Sequence, residues 1–375
     1  MKRTWESGVS ATSIVVLIVG AVSLILGANC LVSGASSIAT RFGLAPVVIG
    51  LTVVAFGTSA PELAVSVSGA LSGNADVALG NVVGSNTFNI LLILGLSAAV
   101  SGLSITQRLL KFDIPLLIVV SVLVYLLALN NLIGRLEGLL LLAGIFAYVA
   151  WLVRGATKDR NRTVDAEHDE AVGAIEQRVA ARPLAFQVGL VIVGLVILVI
   201  GSQMMVGAAT DIASALGVSD LVIGLTVVAG GTSLPELATS VTAAIKGQRD
   251  IAVGNVVGSN IFNLLAVLGA SAVVSTNGIA VKDEVIRLDF PVTLAAAVVL
   301  LPICWNGFMI KRWEGAILVV SYVAYLTYLV LEAGDQGAPD FYRAVLLICV
   351  PLVLLIYVVA GIWGWRAQRA SQSSR

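Results

Sequence analysis

Residues 50–100 read GLTVVAFGTSAPELAVSVSGALSGNADVALGNVVGSNTFNILLILGLSAAV, and residues 224–274 read GLTVVAGGTSLPELATSVTAAIKGQRDIAVGNVVGSNIFNLLAVLGASAVV. The two stretches are 174 positions apart and, aligned without a gap, are identical at 34 of 51 positions. Self-similarity of this extent identifies an internal repeat. The identities include polar residues in apolar surroundings, which a duplication kept only for packing would not require. We therefore expect the repeat to carry function.

The repeat lies in a chain that is too apolar for a water-soluble domain. Of its 375 residues, 58% are hydrophobic and 12% are charged, and the mean hydropathy is +1.00. A soluble domain has about 45–50% apolar and about 25% charged residues. The formal net charge is zero, so no nucleic-acid partner is expected. The composition predicts an all-α integral membrane protein with the lipid bilayer as its solvent.

Transmembrane helices are expected wherever about 20 mostly apolar residues follow one another. Eleven such spans are predicted: Ser13–Thr40, Ala45–Leu71, Ala75–Val100, Phe112–Asn130, Leu132–Val153, Pro183–Ala215, Asp220–Ile245, Ile251–Ser275, Leu288–Trp305, Trp313–Leu331 and Phe341–Trp365. They divide the chain into a first five-helix half (1–153), a solvated linker (154–182), a second five-helix half (183–332), and an extra helix with a basic tail (333–375).

The distribution of basic residues predicts how these spans are oriented. With the N-terminus outside and the C-terminus inside, 16 Lys and Arg residues fall on the cytoplasmic side and 6 on the external side. Cytoplasmic loops carry such an excess in membrane proteins. Each half holds five spans, an odd number, so the second copy enters the membrane from the opposite side. The sequence therefore predicts an inverted-topology repeat, an architecture that places a binding site near mid-membrane between the copies.

The motif GTSAPE at Gly57–Glu62 recurs as GTSLPE at Gly231–Glu236, halfway along an apolar span in each case. A proline inside a helix removes a backbone hydrogen bond and clashes with the carbonyl four residues earlier. Carbonyl groups freed within the bilayer are tolerated only where they face protein or a water-filled cavity. The candidates for such freed carbonyl groups are those of Gly57, Gly231, Ala55 and Ala229.

The two glutamates of this motif, Glu62 and Glu236, predict a cation site. An ionised carboxylate at the bilayer centre costs about 2.5–3.5 kcal/mol on insertion scales, so it marks a functional site by default. No Lys or Arg lies in the membrane core of either repeat to neutralise it. Thr58 shares a helix face with Glu62, and Thr232 shares one with Glu236, because four residues separate each pair. Two such faces would offer the oxygen ligands that Ca²⁺ prefers.

Zinc, copper and an organic cofactor are not expected. The only histidine, His168, lies in the charged linker, and no cysteine lies near the motif. Soft metals are held by those two residue types. The three cysteines, Cys30, Cys304 and Cys349, lie in apolar segments at unrelated spacings and are interpreted as core residues.

A second motif, GNVVGSNTFN at Gly80–Asn89, recurs as GNVVGSNIFN at Gly254–Asn263. It adds two helix faces at the depth of the glutamates, Ser85 with Asn89 and Ser259 with Asn263. Its glycines, four residues apart, favour close helix approach. For four further amide side chains, hydrogen bonding between helices and cation ligation are equally open: Asn81, Asn86, Asn255 and Asn260.

These motifs, GTSxPE followed by GNVxGSNxxN and present twice, resemble the α-repeats of the calcium/cation antiporter superfamily, and most closely those of prokaryotic sodium/calcium exchangers. The resemblance implies a ten-helix fold whose first and sixth spans slide against the rest, and an eleventh helix extra to that plan. It implies a central Ca²⁺ site formed by Thr58, Glu62, Thr232 and Glu236. It implies flanking Na⁺ sites, with two asparagines beside the centre, at Ala55, Ser59, Ser85, Ala229, Ser233, Ser259, Asn89 and Asn263.

The chain departs from many relatives, which carry an aspartate at the position of Asn89 or Asn263. Asparagine at both positions speaks against potassium dependence and leaves two carboxylates, whose formal charge one Ca²⁺ neutralises. The expected function is secondary active exchange of Ca²⁺ for Na⁺ by alternating access across the cell (inner) membrane. One chain holds both copies, so a monomeric transport unit suffices. No enzymatic activity is expected.

Two alternatives stay open. The first is a proton-coupled calcium or cation antiporter of the same fold, with Glu62 and Glu236 as proton carriers. That branch typically reads G-N-A-x-E, whereas this chain has Val82 and Val256 at the third position of the motif. The second alternative is a passive cation channel, which would need a continuous pore and a selectivity ring from several subunits.

Overall fold

The structure is a computed structural model, which describes residues 10–159, 181–218, 229–305 and 307–332 and the single residues Val179, Ile223 and Val227. Within this part every regular element is helical, apart from four strands of two residues each. Helices satisfy all of their backbone groups internally, so they suit long apolar runs in lipid. The predicted all-α class is confirmed.

The first half contains eight α-helices: α1 (Ala11–Phe42), α2 (Pro46–Ile49), α3 (Ala55–Thr58), α4 (Ala60–Leu71), α5 (Ala75–Thr87), α6 (Gly95–Ser101), α7 (Ile114–Ala128) and α8 (Arg135–Asp159). The described residues of the second half form seven: α9 (Leu184–Ala215), α10 (Ala229–Gly231), α11 (Leu234–Ile245), α12 (Arg249–Phe262), α13 (Leu268–Val274), α14 (Phe290–Trp305) and α15 (Arg312–Glu332). Short π-helical segments lead into α3, α6, α7, α13 and α14: Gly50–Val54, Phe88–Leu94, Leu109–Asp113, Asn263–Val267 and Val285–Asp289.

Several of these helices are suited to crossing a membrane. In the described part of the chain, eight helical runs are long and apolar enough, and the number is nine when the helices Pro46–Thr58 and Ala60–Leu71, bent by 45° at their junction, are counted as one span. Helix α11 is a shorter apolar helix that forms the second part of the predicted span Asp220–Ile245. Half of residues 220–233, which form the first part of that span, and the whole predicted span Phe341–Trp365 lie outside the described residues. The number eleven therefore stays a prediction.

The boundaries of the fifth predicted span differ from the structure. The prediction was Leu132–Val153, whereas α8 begins at Arg135 and continues to Asp159. Leu132 and Ile133 form a strand instead. Hydropathy cannot locate either boundary, because the strand residues are apolar and the last turns of the helix are charged.

Helices α1 and α9 pack along a stripe of glycines. A Cβ atom at Gly20, Gly27 or Gly34 of α1 would lie 2.9 Å from a carbonyl oxygen of α9, that of Gly201, Gly194 or Gln187 respectively. Residue numbers rise along one helix as they fall along the other, so the pair is antiparallel. Such small-residue stripes let helices in lipid approach closely.

Two further close helix contacts join the halves and are equivalent under exchange of the repeats. A Cβ atom at Gly95 of α6 would lie 2.9 Å from the carbonyl oxygen of Gly315 on α15. A Cβ atom at Gly138 of α8 would lie 2.8 Å from the carbonyl oxygen of Gly269 on α13. Gly95 and Gly269 occupy the same repeat position, and Gly138 and Gly315 end the matching stretches RLEG and RWEG. Exchanging the two repeats therefore converts one contact into the other, and we call such equivalent contacts twins.

The loops of the two halves are joined by strand pairs. Strand β1 (Leu103–Ser104) pairs antiparallel with β4 (Met309–Ile310), and β2 (Leu132–Ile133) pairs antiparallel with β3 (Ile279–Ala280). Each pair takes one strand from each half, so these contacts are twins as well. The sequence analysis did not predict them, because two residues between helices carry no recognisable period.

Within each half, a tyrosine hydroxyl donates a hydrogen bond to an aspartate carboxyl group. The hydroxyl of Tyr148 donates to Oδ1 of Asp113 at 2.9 Å, and Oδ2 of the same carboxyl lies 3.7 Å from Nε of Arg108. In the second half, the hydroxyl of Tyr325 donates to Oδ1 of Asp289. These carboxyl groups lie on π-helical segments just before Pro115 and Pro291, outside the two repeats. They link consecutive long helices.

Candidate cation-binding site

Both repeats contain a helix break three residues before their glutamate. Helix α3 ends at Thr58 and α4 begins at Ala60, while Ser59 between them has φ −82° and ψ 8°. Ser233 has nearly the same angles, φ −88° and ψ 7°, before α11. Proline is favoured in the first turn of a helix, where its missing N–H costs nothing. The breaks therefore place Glu62 and Glu236 in the first turns of α4 and α11.

This placement stabilises a carboxylate that has no basic partner. The N-terminus of a helix carries a partial positive charge, which favours acidic side chains in the first turn. Both glutamates are 0% exposed. Within the described residues, neither glutamate takes part in a salt bridge; the ion pair of Arg108 with Asp113 lies outside the two repeats.

The carboxyl groups are held by the opposite repeat. The hydroxyl of Ser59 donates to Oε1 of Glu236 at 2.9 Å, and the hydroxyl of Ser233 donates to Oε1 of Glu62 at 2.9 Å. The second oxygen of each carboxyl group, Oε2, is buried and has no hydrogen-bond partner in the described part. Each glutamate therefore has one oxygen fixed across the repeat interface and one oxygen left for a ligand.

The threonines four residues before the glutamates also cross this interface. Thr58 Oγ1 lies 3.1 Å from Oδ1 of Asn255, and Thr232 Oγ1 lies 3.1 Å from Oδ1 of Asn81. The amide nitrogen of Asn81 donates to the carbonyl oxygen of Glu62 at 3.1 Å. The amide nitrogen of Asn255 makes the matching contact with the carbonyl oxygen of Glu236 at 3.4 Å.

The serine and asparagine pairs of the second motif differ between the halves. The amide nitrogen of Asn263 donates to Ser85 Oγ at 3.0 Å. The twin pair, Asn89 and Ser259, makes no such bond: both amide atoms of Asn89 and the hydroxyl of Ser259 are buried without a partner among the described residues. The two half-sites are therefore in different hydrogen-bonding states although their residues are identical.

The backbone carbonyl groups that were predicted as ligands differ in their hydrogen bonds. The carbonyl oxygen of Ala55 accepts a hydrogen bond from the backbone amide of Ser59 at 3.0 Å and lies 3.4 Å from Oγ1 of Thr58. The carbonyl oxygen of Gly231 accepts from Ser202 of α9 at 2.6 Å. Ala229 is the first residue of α10.

Three serines at the site were not singled out from the sequence. Ser66 and Ser240 accept the amide hydrogens of Asn81 and Asn255, both at 2.9 Å. Both serines lie one turn after the glutamates and are identical in the two repeats, and that signal could have found them. Ser202 lies in α9, outside the repeats, so the self-comparison gives no signal for it.

The arrangement offers oxygen ligands to a hard cation. In the described residues no group of three or more His, Cys, Asp and Glu side chains could hold a metal ion. Beyond the two carboxylates, ligation would draw on hydroxyl, amide and carbonyl oxygens. Ca²⁺ takes about 6–8 such oxygens in flexible geometry.

A family model described as sodium/calcium exchanger protein matches residues 12–154 and 186–331. The chain belongs to this family. Both repeats and nearly all of the described helices fall within the matched ranges. The family comprises membrane transporters, so the protein is a multi-pass membrane transporter and not an enzyme, and the predicted resemblance is confirmed.

Two curated relatives and one solved structure show how far the likeness extends. The putative antiporter CaxA of Alkalimonas amylolytica is 39% identical over 76% of this chain and 88% of its own length. The sodium/calcium exchanger MaX1 of Methanosarcina acetivorans is 34% identical over 84% of this chain and 98% of its own length. A structure of the sodium-calcium exchanger NCX_Mj, soaked with Na⁺ and Ca²⁺, is 27% identical with a TM-score of 0.71, covering 84% of this chain and 98% of that one.

Proposed function

We propose that this family member is a secondary active antiporter that exchanges Ca²⁺ for Na⁺ by alternating access, with Glu62 and Glu236 as its central ligands. The observation that carries the proposal is the crossed pair of bonds, Ser59 to Glu236 and Ser233 to Glu62. In each bond the helix break of one repeat holds the buried carboxyl group of the other repeat, and neither glutamate has a salt-bridge partner among the described residues. The names of MaX1 and NCX_Mj support the same ions.

We assign the site residues as the resemblance to the family implies. Thr58, Glu62, Thr232 and Glu236 form the Ca²⁺ site. The Na⁺ sites and the lining of the centre use the remaining set: Ala55, Ser59, Ser85, Asn89, Ala229, Ser233, Ser259 and Asn263. Two carboxylates balance the charge of one Ca²⁺, so a calcium-loaded site is neutral within the low-dielectric membrane. One chain supplies both repeats, and we propose a monomeric transport unit.

We further propose an inverted repeat with the N-terminus outside and the C-terminus in the cytoplasm, in the cell (inner) membrane. With five spans in each half, the loops at residues 102–108 and 306–311 would lie inside, and those at residues 129–134 and 275–284 outside. The strand pairs support this arrangement, because β1 with β4 and β2 with β3 each join two loops assigned to one side. The antiparallel packing of α1 and α9, which open the two halves, agrees with it.

The test is calcium uptake into proteoliposomes containing the purified protein. Uptake is measured under an outward sodium gradient, then under a pH gradient, then under neither. We expect uptake with the sodium gradient alone. Uptake driven by pH and indifferent to sodium would overturn sodium coupling in favour of a proton-coupled antiporter. Equilibration of calcium without any gradient would indicate a channel. Vesicles with the Glu62→Gln variant control for leakage.

A further inference from the structure

Asn81 and Asn255 have no ligand role in the assignment above, yet each makes three hydrogen bonds at the centre of the molecule. Asn81, on α5, donates to the carbonyl oxygen of Glu62 and to Ser66, and accepts from Thr232. Asn255, on α12, donates to the carbonyl oxygen of Glu236 and to Ser240, and accepts from Thr58. The two networks are twins under exchange of the repeats.

The donor bonds fix the orientation of each amide. The nitrogen of Asn81 faces two acceptors on α4, so its oxygen must face the opposite repeat, where Thr232 lies. An amide has two donor hydrogens and one acceptor oxygen, and here all of these groups are used. Neither asparagine has a side-chain atom among the buried groups that lack a partner in the described residues.

The oxygen of each asparagine offers an acceptor to the hydroxyl hydrogen of a threonine in the opposite repeat. A hydroxyl has one hydrogen and two lone pairs. When the hydrogen is donated to the asparagine oxygen, the lone pairs stay available for a cation. Thr58 has competing acceptors in its own helix, the carbonyl oxygens of Val54 at 3.0 Å and Ala55 at 3.4 Å. A threonine within a helix often bonds back in this way. Asn255 provides an acceptor outside that helix.

Each network also sets the spacing between ligands of different repeats. Asn81 contacts the backbone of Glu62 in the first repeat and the side chain of Thr232 in the second. A cation bound by both residues would find their separation already set, because one side chain touches both. Groups that orient the ligands of a metal usually change its affinity by about 10- to 100-fold when they are removed.

We propose that Asn81 and Asn255 are positioning residues of the Ca²⁺ site, each orienting the threonine hydroxyl of the opposite repeat towards the ion. This inference rests on the proposed function. The pairing is specific: Asn81 acts through Thr232, and Asn255 acts through Thr58. Neither asparagine contacts the ion itself.

The test is a double-mutant cycle on Ca²⁺ binding to the purified full-length protein, measured by equilibrium binding of radioactive calcium. We expect Asn81→Leu to raise the Kd by about 10- to 100-fold. Thr232→Val should raise it as well, and in the double variant the increase should be clearly smaller than the product of the two single increases. In the mismatched cycle, Asn81→Leu with Thr58→Val, the two increases should multiply. Independent effects in the matched cycle would overturn the pairing.

A matched control separates positioning from stability. Asn86 lies five residues further along α5 and also bonds to the other half, donating to the carbonyl oxygen of Asn260 at 3.3 Å. Asn86→Leu should lower the thermal midpoint as much as Asn81→Leu but leave the Kd within about twofold. An equal loss of affinity in both variants would reduce Asn81 to a structural role and refute the proposal.

Transport kinetics and Ca²⁺ binding by the wild-type protein complete the test. In transport, Asn81→Leu should raise the KM for Ca²⁺ with little change in kcat, because the site is loosened and not removed. Should Asn81→Leu not fold, Asn81→Ala is used in the same cycles. A folded wild-type protein that binds no Ca²⁺ would overturn the proposed function and this inference with it. Binding by the wild type without coupling between Asn81 and Thr232 would overturn the inference alone.

Discussion

The hydroxyl of Ser59 lies 2.9 Å from a carboxyl oxygen of Glu236, although 177 residues separate them in the chain. Exchanging the repeats gives the contact of Ser233 with Glu62, at the same distance. Each serine directly follows the threonine of its own repeat and occupies the helix break. The bend of one repeat therefore holds the carboxyl group of the other, and the following predictions depend on that reciprocity.

Replacing either glutamate by glutamine should abolish exchange. Glu62→Gln or Glu236→Gln keeps the shape of the side chain but lowers the formal charge of the site from −2 to −1, so Ca²⁺ is no longer neutralised. We expect sodium-dependent calcium uptake to fall to the level of empty vesicles, while gel filtration still shows a folded protein. Near-normal uptake by either variant would contradict the site assignment.

Removing the serine hydroxyls should weaken sodium binding in both halves. Ser59→Ala takes the donor from Glu236, and Ser233→Ala takes it from Glu62. A hydrogen bond to a charged group contributes about 1.5–3 kcal/mol, so a severalfold or larger rise in the sodium concentration for half-maximal exchange is expected. Ser121→Ala, which removes a back bond to Leu117, is the control. A response confined to one of the two variants would contradict the reciprocity.

Asn263→Asp should change cation preference more than folding. The asparagine is buried and donates to Ser85, and an aspartate would accept from the same hydroxyl while adding a third negative charge. We expect an altered order of inhibition of calcium uptake by Na⁺, K⁺ and Sr²⁺, with the thermal midpoint shifted only slightly. An unchanged order would count against Asn263 as a residue that lines the site.

Alanine at Gly194 should loosen the α1–α9 pair. Its Cβ atom would lie 2.6 Å from the backbone nitrogen of Leu31, and backbone cannot rotate away. Overpacking of this kind costs about 1–3 kcal/mol. Gly189 of the same helix is the control, because among the described residues beyond its own helical turns no atom would lie within 4 Å of its Cβ. Scanning fluorimetry should give a lower unfolding midpoint for Gly194→Ala than for Gly189→Ala, and equal midpoints would contradict the close packing.

Labelling should test the proposed orientation. In a background with all three cysteines replaced, a cysteine at Glu284 should react with a membrane-impermeant maleimide added to whole cells. A cysteine at Gln107 should react only after the cells are permeabilised. Both residues are exposed and lie near the strand pairs. The reverse pattern would place the N-terminus inside.

Sequence alone predicts the helix breaks and the residues around them. The proline next to each glutamate signals a distortion halfway along an apolar span, and the structure has its break two residues earlier, at Ser59 and Ser233. The repeat marks the same polar residues twice, so the composition of the site follows from a self-comparison. The contacts that join the two halves cannot be predicted from the sequence, because they are tertiary contacts such as that of Gly95 with Gly315.

The difference between the half-sites could not have been predicted from the sequence. Asn89 and Asn263 occupy the same repeat position, as do Ser85 and Ser259. Nevertheless Asn263 bonds to Ser85, whereas Asn89 and Ser259 lack partners among the described residues. The hydrogen bonds of identical residues differ here because the surrounding conformation differs between the halves. Comparing the two repeats as sequences does not reveal that conformation.

The strand pairs have a consequence for the origin of the molecule. β1 pairs with β4, and β2 pairs with β3, so each strand of one half pairs with a strand of the other half and none pairs within its own half. A half-length ancestor would have needed a second copy of itself to make the same pairs, with the glycine and serine contacts formed between subunits. Fusion of two genes would then have turned a dimer interface into the interior of one polypeptide.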